Sequence, residues 1–376
     1  STAPLSSIDK FVRETLQNSC DAQKPGSSQV TMEYRYINLS DEQRNLFSNL
    51  LGFNSIILPR VVNSIPGLDH NTKIDSVLYV EDYGTTGLEL NSPTGNVLDS
   101  KFGRFFFGVG DNDESSDSGG SFGYGKAVYT DKSKIRTIVA YSCYLDENNN
   151  PCKLLFGVTR TRSFDYQTIR YPGFIFLCES QVDSPENMNP IIGTDADQLA
   201  IQLGFKPRSP DQTGTSVAIF APRESAEVEL AEIKSSVENF WWKKIIDGEL
   251  TVSISFDDMD LTYADPKKSA HLKSFIDCYE IAIGRRAPIE PNEKKKILNV
   301  SSSTNLSPGI LAFKQIEMLS DDGWSNESLF INSIALLRSS GMVTEYWKPS
   351  SSGSFSSPVA GVGMQKVIEL RSKKSI

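Results

Sequence analysis

Ile8, Phe11, Val12 and Leu16 recur at helical spacing near the start of the chain, while Glu14, Asn18 and Asp21 lie at i, i+4 and i+7 on a different arc. That pattern predicts an amphipathic helix over residues 7–22, with Ser6 and Asp9 as its capping pair and the apolar arc turned to a core. Its polar face includes Asn18, Ser19 and Cys20, which are mediocre helix formers, so something besides helix stability selects them. Residues 29–38 alternate and are rich in β-formers, which predicts a strand. Residues 41–51 read as a helix stopped by Gly52, and residues 74–81 as a buried strand running into Asp82-Tyr83-Gly84.

From residue 85 to 118 the pattern changes. Glycines and prolines surround an aromatic cluster (Phe102, Phe105, Phe106, Phe107), and an acidic, serine-rich run follows at 111–118. A long aperiodic segment of this kind inside a domain predicts a mobile lid, with a plain surface loop as the alternative. Strand patterns at 136–145, 153–162 and 171–179 predict an antiparallel meander. A helix at 194–203 and a strand at 213–221 follow, and the first domain is expected to end near Pro222, spanning 1–222.

The second domain, 223–376, opens on a long helix at 224–246 that carries Trp241, Trp242, Lys243 and Lys244 near its end. A strand at 249–256 and a helix at 267–283 come next. After a charged loop at 290–296 come β-rich pieces at 309–318, 328–338 and 341–347, a serine-rich loop at 348–357, a strand-like piece and a basic tail.

Composition narrows the function classes. The 376 residues carry a net charge of −9 and a pI near 5.0, which argues against a chain-wide nucleic-acid surface. The five cysteines form no CxxC pair, which fits a reducing compartment and neither a disulfide framework nor a zinc site. The two histidines, His70 and His271, are far apart, so a histidine-based metal site or triad is not expected. No apolar run reaches membrane-spanning length and no signal peptide opens the chain, so a soluble, cytoplasmic protein without membrane association is expected. The chain starts directly at its first helix and ends in a basic tail, which suggests a piece of a larger machine.

Three motifs carry candidate chemistry. The run Gly120-Ser121-Phe122-Gly123-Tyr124-Gly125-Lys126 matches most of a phosphate loop, yet Ala127 replaces the magnesium-binding hydroxyl and no buried strand precedes it. A Walker-type loop is therefore rejected. Glycines ahead of a helix start still offer close backbone approach and free N–H groups to phosphate, or else serve as a hinge. Asp82-x-Gly84-x-x-Gly87 follows a buried strand. It is either a plain turn or a carboxylate placed to accept from a ligand amine. Gly214-Thr215 opens a late strand and alone is only a junction.

Taken in order, E-x-x-x-N-x-x-D-A on a helix, D-x-G-x-x-G after a strand, a glycine-rich G-x-G-K segment after a lid and a late Gly-Thr resemble the GHKL, or Bergerat-fold, ATPases. That superfamily includes type II topoisomerases, MutL mismatch-repair ATPases, large heat-shock chaperones, MORC proteins and histidine kinases; the motif style here is similar to the MutL, topoisomerase and MORC side. The series spans Glu14 to Thr215, a little over half the chain.

The resemblance implies an α+β fold. A Bergerat-type sandwich, with a mixed, mostly antiparallel sheet and helices on one face, would precede a transducer-like α+β domain. It implies ATP and magnesium, with Glu14 as the general base and Asn18 as the magnesium ligand. Asp21 and Ala22 would lie beside the nucleotide. Asp82 would accept from the adenine amine with help from Thr215, and Gly84 and Gly87 would border the base. Gly120, Ser121, Phe122, Gly123, Tyr124, Gly125 and Lys126 would wrap the phosphates. It further implies an ATP-dependent homodimer and a protein partner, in a DNA-associated or defence complex among other settings.

Triphosphate hydrolysis asks mainly for water positioning and charge neutralisation, which a carboxylate one turn from a metal-binding amide supplies. A lysine from the second domain reaching the γ-phosphate is a further implication, with Lys243, Lys244, Lys267 and Lys314 as candidates; each taken individually reads better as a surface lysine. A nucleotide switch with little turnover is the alternative function. A histidine kinase is a weaker one, because the motifs begin at Glu14 and leave no room ahead for a phosphoacceptor hairpin.

Overall fold

The computed structural model describes residues 5–91, 96–108, 127–179, 188–289, 293–298, 309–315, 333–338, 340–347 and 359–364. The chain divides into two compact units. One comprises Ser7–Lys234 with Leu250–Tyr263; the other comprises Ser1–Ser6, Ser235–Glu249 and Ala264–Ile376.

The first unit is built on nine strands. Helix α1 (Ser7–Asp21) leads into β1 (Val30–Asn38), then α2 (Asp41–Leu50), a π-turn at Phe53–Ile57 and α3 (Leu58–Val61). Next come β2 (Ser76–Tyr83), α4 (Lys101–Phe106) and α5 (Ala127–Lys132). The meander is β3 (Thr137–Leu145), β4 (Pro151–Arg160), a small hairpin of β5 (Phe164–Tyr166) and β6 (Ile169–Tyr171), and β7 (Phe174–Leu177). The unit continues through β8 (Ile191–Ile192), α6 (Gly193–Gln202), β9 (Gly214–Phe220) and the start of α7 (Ala226–Ile246), and then adds β10 (Leu250–Phe256) and β11 (Met259–Tyr263). The sheet order is β11-β10-β1-β2-β9-β3-β4-β7, with β8 also pairing with β4. Every pairing is antiparallel except β1 with β10, so the sheet is mixed and mostly antiparallel, as expected for an α+β fold.

Helices cover both faces of this sheet, where one face was expected. Val77, Tyr79, Val139, Tyr141, Ala218 and Phe220 form one core with Phe47, Leu51, Phe53, Leu58, Ala196 and Leu203, from α2 to α3 and around α6. Opposite-parity residues Tyr34, Val80, Val217, Ala140 and Phe156 are cross-strand partners and line the other face. There Phe11 of α1 packs edge-on against Tyr34 and Tyr129, and Phe102 and Phe106 of α4 pack on Phe156. The reason is visible in burial: β2, β3 and β9 are buried at nearly every position, so both faces demand cover.

The expected lid at 85–118 contains α4, whose Phe102 and Phe106 are fully buried. An aromatic cluster without obvious period reads as aperiodic when it is a short helix serving a core. Residues 109–118 lie outside the described part of the chain.

In the second unit, the C-terminal part of α7 buries Trp241 and Trp242, and Trp242 Nε1 donates to the Tyr346 hydroxyl at 3.1 Å. Helix α8 (Ala270–Ile283) accompanies a five-stranded sheet of β12 (Glu293–Leu298), β13 (Gly309–Gln315), β14 (Ser333–Leu337), β15 (Val343–Trp347) and β16 (Val359–Met364). Its order is β12-β13-β16-β14-β15, with β14 and β16 parallel. Residues 293–296 of the charged run expected as a loop at 290–296 lie in β12, since an edge strand tolerates a row of lysines. Strand β10, expected in the second domain, and β11, which no sequence pattern predicted, belong to the first unit's sheet.

Candidate functional site

Asp82 stands at the end of β2, on the sheet face that α1 covers. Three donors converge on its carboxylate. Thr85 Oγ1 donates to Oδ1 at 2.5 Å, the Thr215 main-chain N–H donates to the same oxygen at 2.9 Å, and Ser19 Oγ donates to Oδ2 at 2.9 Å. Three stretches far apart in sequence, around Ser19, Asp82 with Thr85, and Thr215, therefore meet at one carboxylate. The end of α1 is also tied to the turn after β2. The Thr86 N–H donates to the Ala22 carbonyl at 2.8 Å and the Lys24 N–H to the Gly84 carbonyl at 2.9 Å. Behind Thr215, Ser142 Oγ accepts from the Leu88 N–H at 2.8 Å, donates to the Gly214 carbonyl at 2.9 Å and lies 3.1 Å from Thr215 Oγ1.

Two glycines are required by this packing itself. Gly87 has φ +72°, and a Cβ there would stand 2.5 Å from the Cys143 carbonyl oxygen. Gly214 has φ +147°, and its Cβ would stand 2.3 Å from the Asp82 carbonyl oxygen and 2.7 Å from Asp82 Oδ1. Gly214→Ala is expected to cost about 1–3 kcal/mol through strain and displacement of Asp82. Thermal unfolding of the variant checks this; an unchanged midpoint would show that the two strand ends can separate without loss.

Glu14 and Asn18 project from α1 on the same side. Glu14 is half-buried, Asn18 and Asp21 are exposed, and Ala22 is half-buried. Tyr129 of α5 is 4% exposed and reports their closeness. Its hydroxyl is hydrogen-bonded to the Asn18 side chain. Burial, followed by the proximity of Tyr34, Asp82 and Glu14, pushes that hydroxyl well above its ordinary pKa. Tyr129 therefore stays neutral as a fixed hydrogen-bonding group among them. Below it, Thr15 Oγ1 and the Tyr34 hydroxyl share a hydrogen bond of 2.7 Å that pins α1 to β1.

The structure thus brings together Glu14, Asn18, Ala22, Asp82, Gly84, Gly87 and Thr215. The segment Gly120, Ser121, Phe122, Gly123, Tyr124, Gly125 and Lys126 lies outside the described residues. Among the lysines weighed for the γ-phosphate, Lys243 pairs with Asp247 at 2.9 Å and Lys244 with Glu249 at 3.1 Å, while Lys267 is exposed. Sequence reasoning missed Ser19, Thr85, Ser142 and Tyr129 as site residues. A serine where a better helix former would serve was the signal for Ser19, and Thr85 lies in the turn three residues after Asp82; Ser142 and Tyr129 have no local signal, because tertiary packing alone delivers them.

Comparison with known protein families and with curated proteins finds no match to this chain. Among solved structures, one described as the N-terminal domain of a DNA repair protein is similar at 9% sequence identity and a TM-score of 0.34. That likeness covers 87% of this chain and 73% of the other, and is too slight to assign a family. Among the described residues, no helix is long and apolar enough to cross a membrane.

Proposed function

We propose that the first unit binds ATP with magnesium and hydrolyses it, as its resemblance to GHKL ATPases implies. The observation that carries this reading is the Asp82 carboxylate. A carboxylate offers about four acceptor positions. Among the described residues Oδ1 takes two donors and Oδ2 takes one, Ser19 Oγ. One acceptor position on Oδ2 therefore suits the exocyclic amine of adenine. The three donors hold the carboxylate in place before a ligand arrives, which lowers the cost of ordering it on binding.

Magnesium suits the donors on α1. Among the described residues no group of three His, Cys, Asp or Glu side chains is placed to hold a metal by itself. An amide such as Asn18, with water and phosphate oxygens completing the shell, is the sparse set that magnesium accepts. Bound there, the ion would neutralise phosphate charge. Glu14, one turn away, takes the proton of the attacking water. Tyr129 holds the Asn18 side chain in place. Dimerisation on ATP and relay through the second unit to a protein partner, in a DNA-associated, defence or chaperone setting, belong to the same proposal.

Calorimetry of the full chain with ATP and magnesium tests the central claim. Heat of binding is expected with ATP and absent with GTP; no binding of either would overturn the reading. Measured turnover separates an ATPase from a switch with little hydrolysis. Asp82→Asn is expected to weaken ATP binding by about 1–3 kcal/mol, since an amide presents a donor where the amine needs an acceptor. Unchanged affinity would remove Asp82 from the base site. Sedimentation with a non-hydrolysable ATP analogue checks dimerisation.

A further inference from the structure

Arg208 lies in the segment between α6 and β9, far in sequence from every motif above, and is only 2% exposed. The register between β2 and β9 ends with Glu81 opposite Ser216. One residue beyond that end, Arg208 supplies the next donor. Its Nη2 donates to the Asp82 carbonyl at 2.7 Å and to Ser216 Oγ at 3.0 Å, and its Nη1 donates to the Gln212 carbonyl at 3.3 Å. The guanidinium lies 4.3 Å from the centre of the Tyr83 ring. Gly214 is pressed between the two partners: a Cβ there would meet Asp82 on one side and Arg208 Nη1, at 2.8 Å, on the other.

The same side chain closes a polar chain on the far face of the sheet. Ser216 Oγ donates to Glu81 Oε1 at 3.1 Å. Glu81 Oε2 accepts from Arg35 Nε at 3.2 Å, and Arg35 Nη2 donates to the Gly204 carbonyl at 2.9 Å. Glu81 is fully buried and Arg35 nearly so. Arg208 Nε, by contrast, is buried with no hydrogen-bond partner among the described residues. Leaving a buried donor unmade is costly, so the position of this guanidinium is set by the Asp82 and Ser216 contacts against that cost.

We infer that Arg208 is the positioning residue of the base-recognition end, holding the Asp82 carbonyl and the Ser216 hydroxyl so that the Asp82 carboxylate and the Thr215 N–H keep their relative placement. This role rests on the ATP reading above. Arg208 acts from the far face of the sheet and through the main chain. Its effect is therefore on which base is accepted, and it leaves the phosphate-binding and water-activating groups alone. A fork of donors is needed, because one Nη reaches two acceptors while the other anchors the loop; a lysine keeps the charge and loses the fork.

The test is a binding series on the full chain with ATP and with inosine triphosphate, which carries a carbonyl in place of the 6-amino group. Wild type is expected to prefer ATP. Arg208→Ala is expected to weaken ATP binding about tenfold to a hundredfold while inosine triphosphate binding changes little, so that the preference collapses. Arg208→Lys is expected to fall between the two, and Ser216→Ala to narrow the preference in the same direction. Circular dichroism establishes folding of each variant, and if Arg208→Ala does not fold, the Lys and Ser216 variants decide the matter. A preference unchanged in the folded variants overturns the role of Arg208 and leaves the ATP reading standing. A wild-type protein that binds neither nucleotide overturns the ATP reading and this role with it.

Discussion

Glu14→Ala and Glu14→Gln should abolish ATP turnover while ATP still binds. Glu14 lies on α1 one helical turn from Asn18, and both stand near the buried Tyr129 hydroxyl. The proposal gives it a single job, accepting the proton of the attacking water. A positioned general base contributes about 10²–10⁴-fold to a rate. Loss of kcat by at least the lower end of that range, with ATP affinity within a few-fold of wild type, is the expected result. Steady-state turnover and calorimetry measured on the same preparation check it. Turnover that survives in the folded variant would reassign the base; binding and turnover lost together would make Glu14 part of ligand binding.

Lys132→Met is expected to cost about 3–5 kcal/mol of stability. Lys132 ends α5, and its Nζ lies 2.7 Å from Glu229 Oε1 of α7, with Lys132 6% exposed and Glu229 fully buried. The same ammonium lies 5.4 Å from the centre of the Phe11 ring of α1. Burial pushes the Glu229 carboxyl above its ordinary value of 4.5, and Lys132 pulls it back down. Removing the lysine leaves a buried carboxylate without its counter-ion, which is the expensive state.

The pH dependence follows from the sign of that shift. With its folded pKa raised, Glu229 takes a proton in the folded chain before it does so in the unfolded one. The Lys132→Met deficit is therefore largest above the raised pKa. Without the lysine the Glu229 carboxyl is raised further in the folded variant, so the deficit shrinks as pH falls through that higher value and levels off below the wild-type folded pKa, where Glu229 is protonated in both folded chains. Urea unfolding at pH 7.5 and near 5 measures the difference. Lys132→Met with Glu229→Gln is expected to recover much of the loss, because no buried charge remains. A deficit independent of pH and not relieved by the second change would mean that Lys132 matters for packing alone.

Much of the first unit was legible in the chain. Helix α1 and strands β1, β2, β3, β4 and β9 fall within a few residues of their expected limits, because each carries a strong period or a continuous buried run bounded by glycine or a polar cluster. The order of Glu14, Asn18, Asp82 and Thr215 is likewise in the sequence and points to a shared site. Helix α4 was not legible. Its cluster of phenylalanines has no helical stripe, and only the core on Phe156 gives it a direction. Strand β12 was hidden by its lysines.

The sequence by itself determined most strands of the first sheet and the candidate chemistry on α1 and after β2, since these depend on period, propensity and short-range spacing. Tertiary structure alone decided that helices cover both faces. It also returned β10 and β11 to the first sheet, through the parallel pairing of β10 with β1 across more than two hundred residues. It alone brought Ser19 and the Thr215 N–H onto one carboxylate, and set Arg208 behind it. The physical reason is the same in each case. Hydrogen bonds and buried contacts between residues distant in sequence leave no local signature, because any serine, threonine or arginine can make them once the chain has folded to put it there.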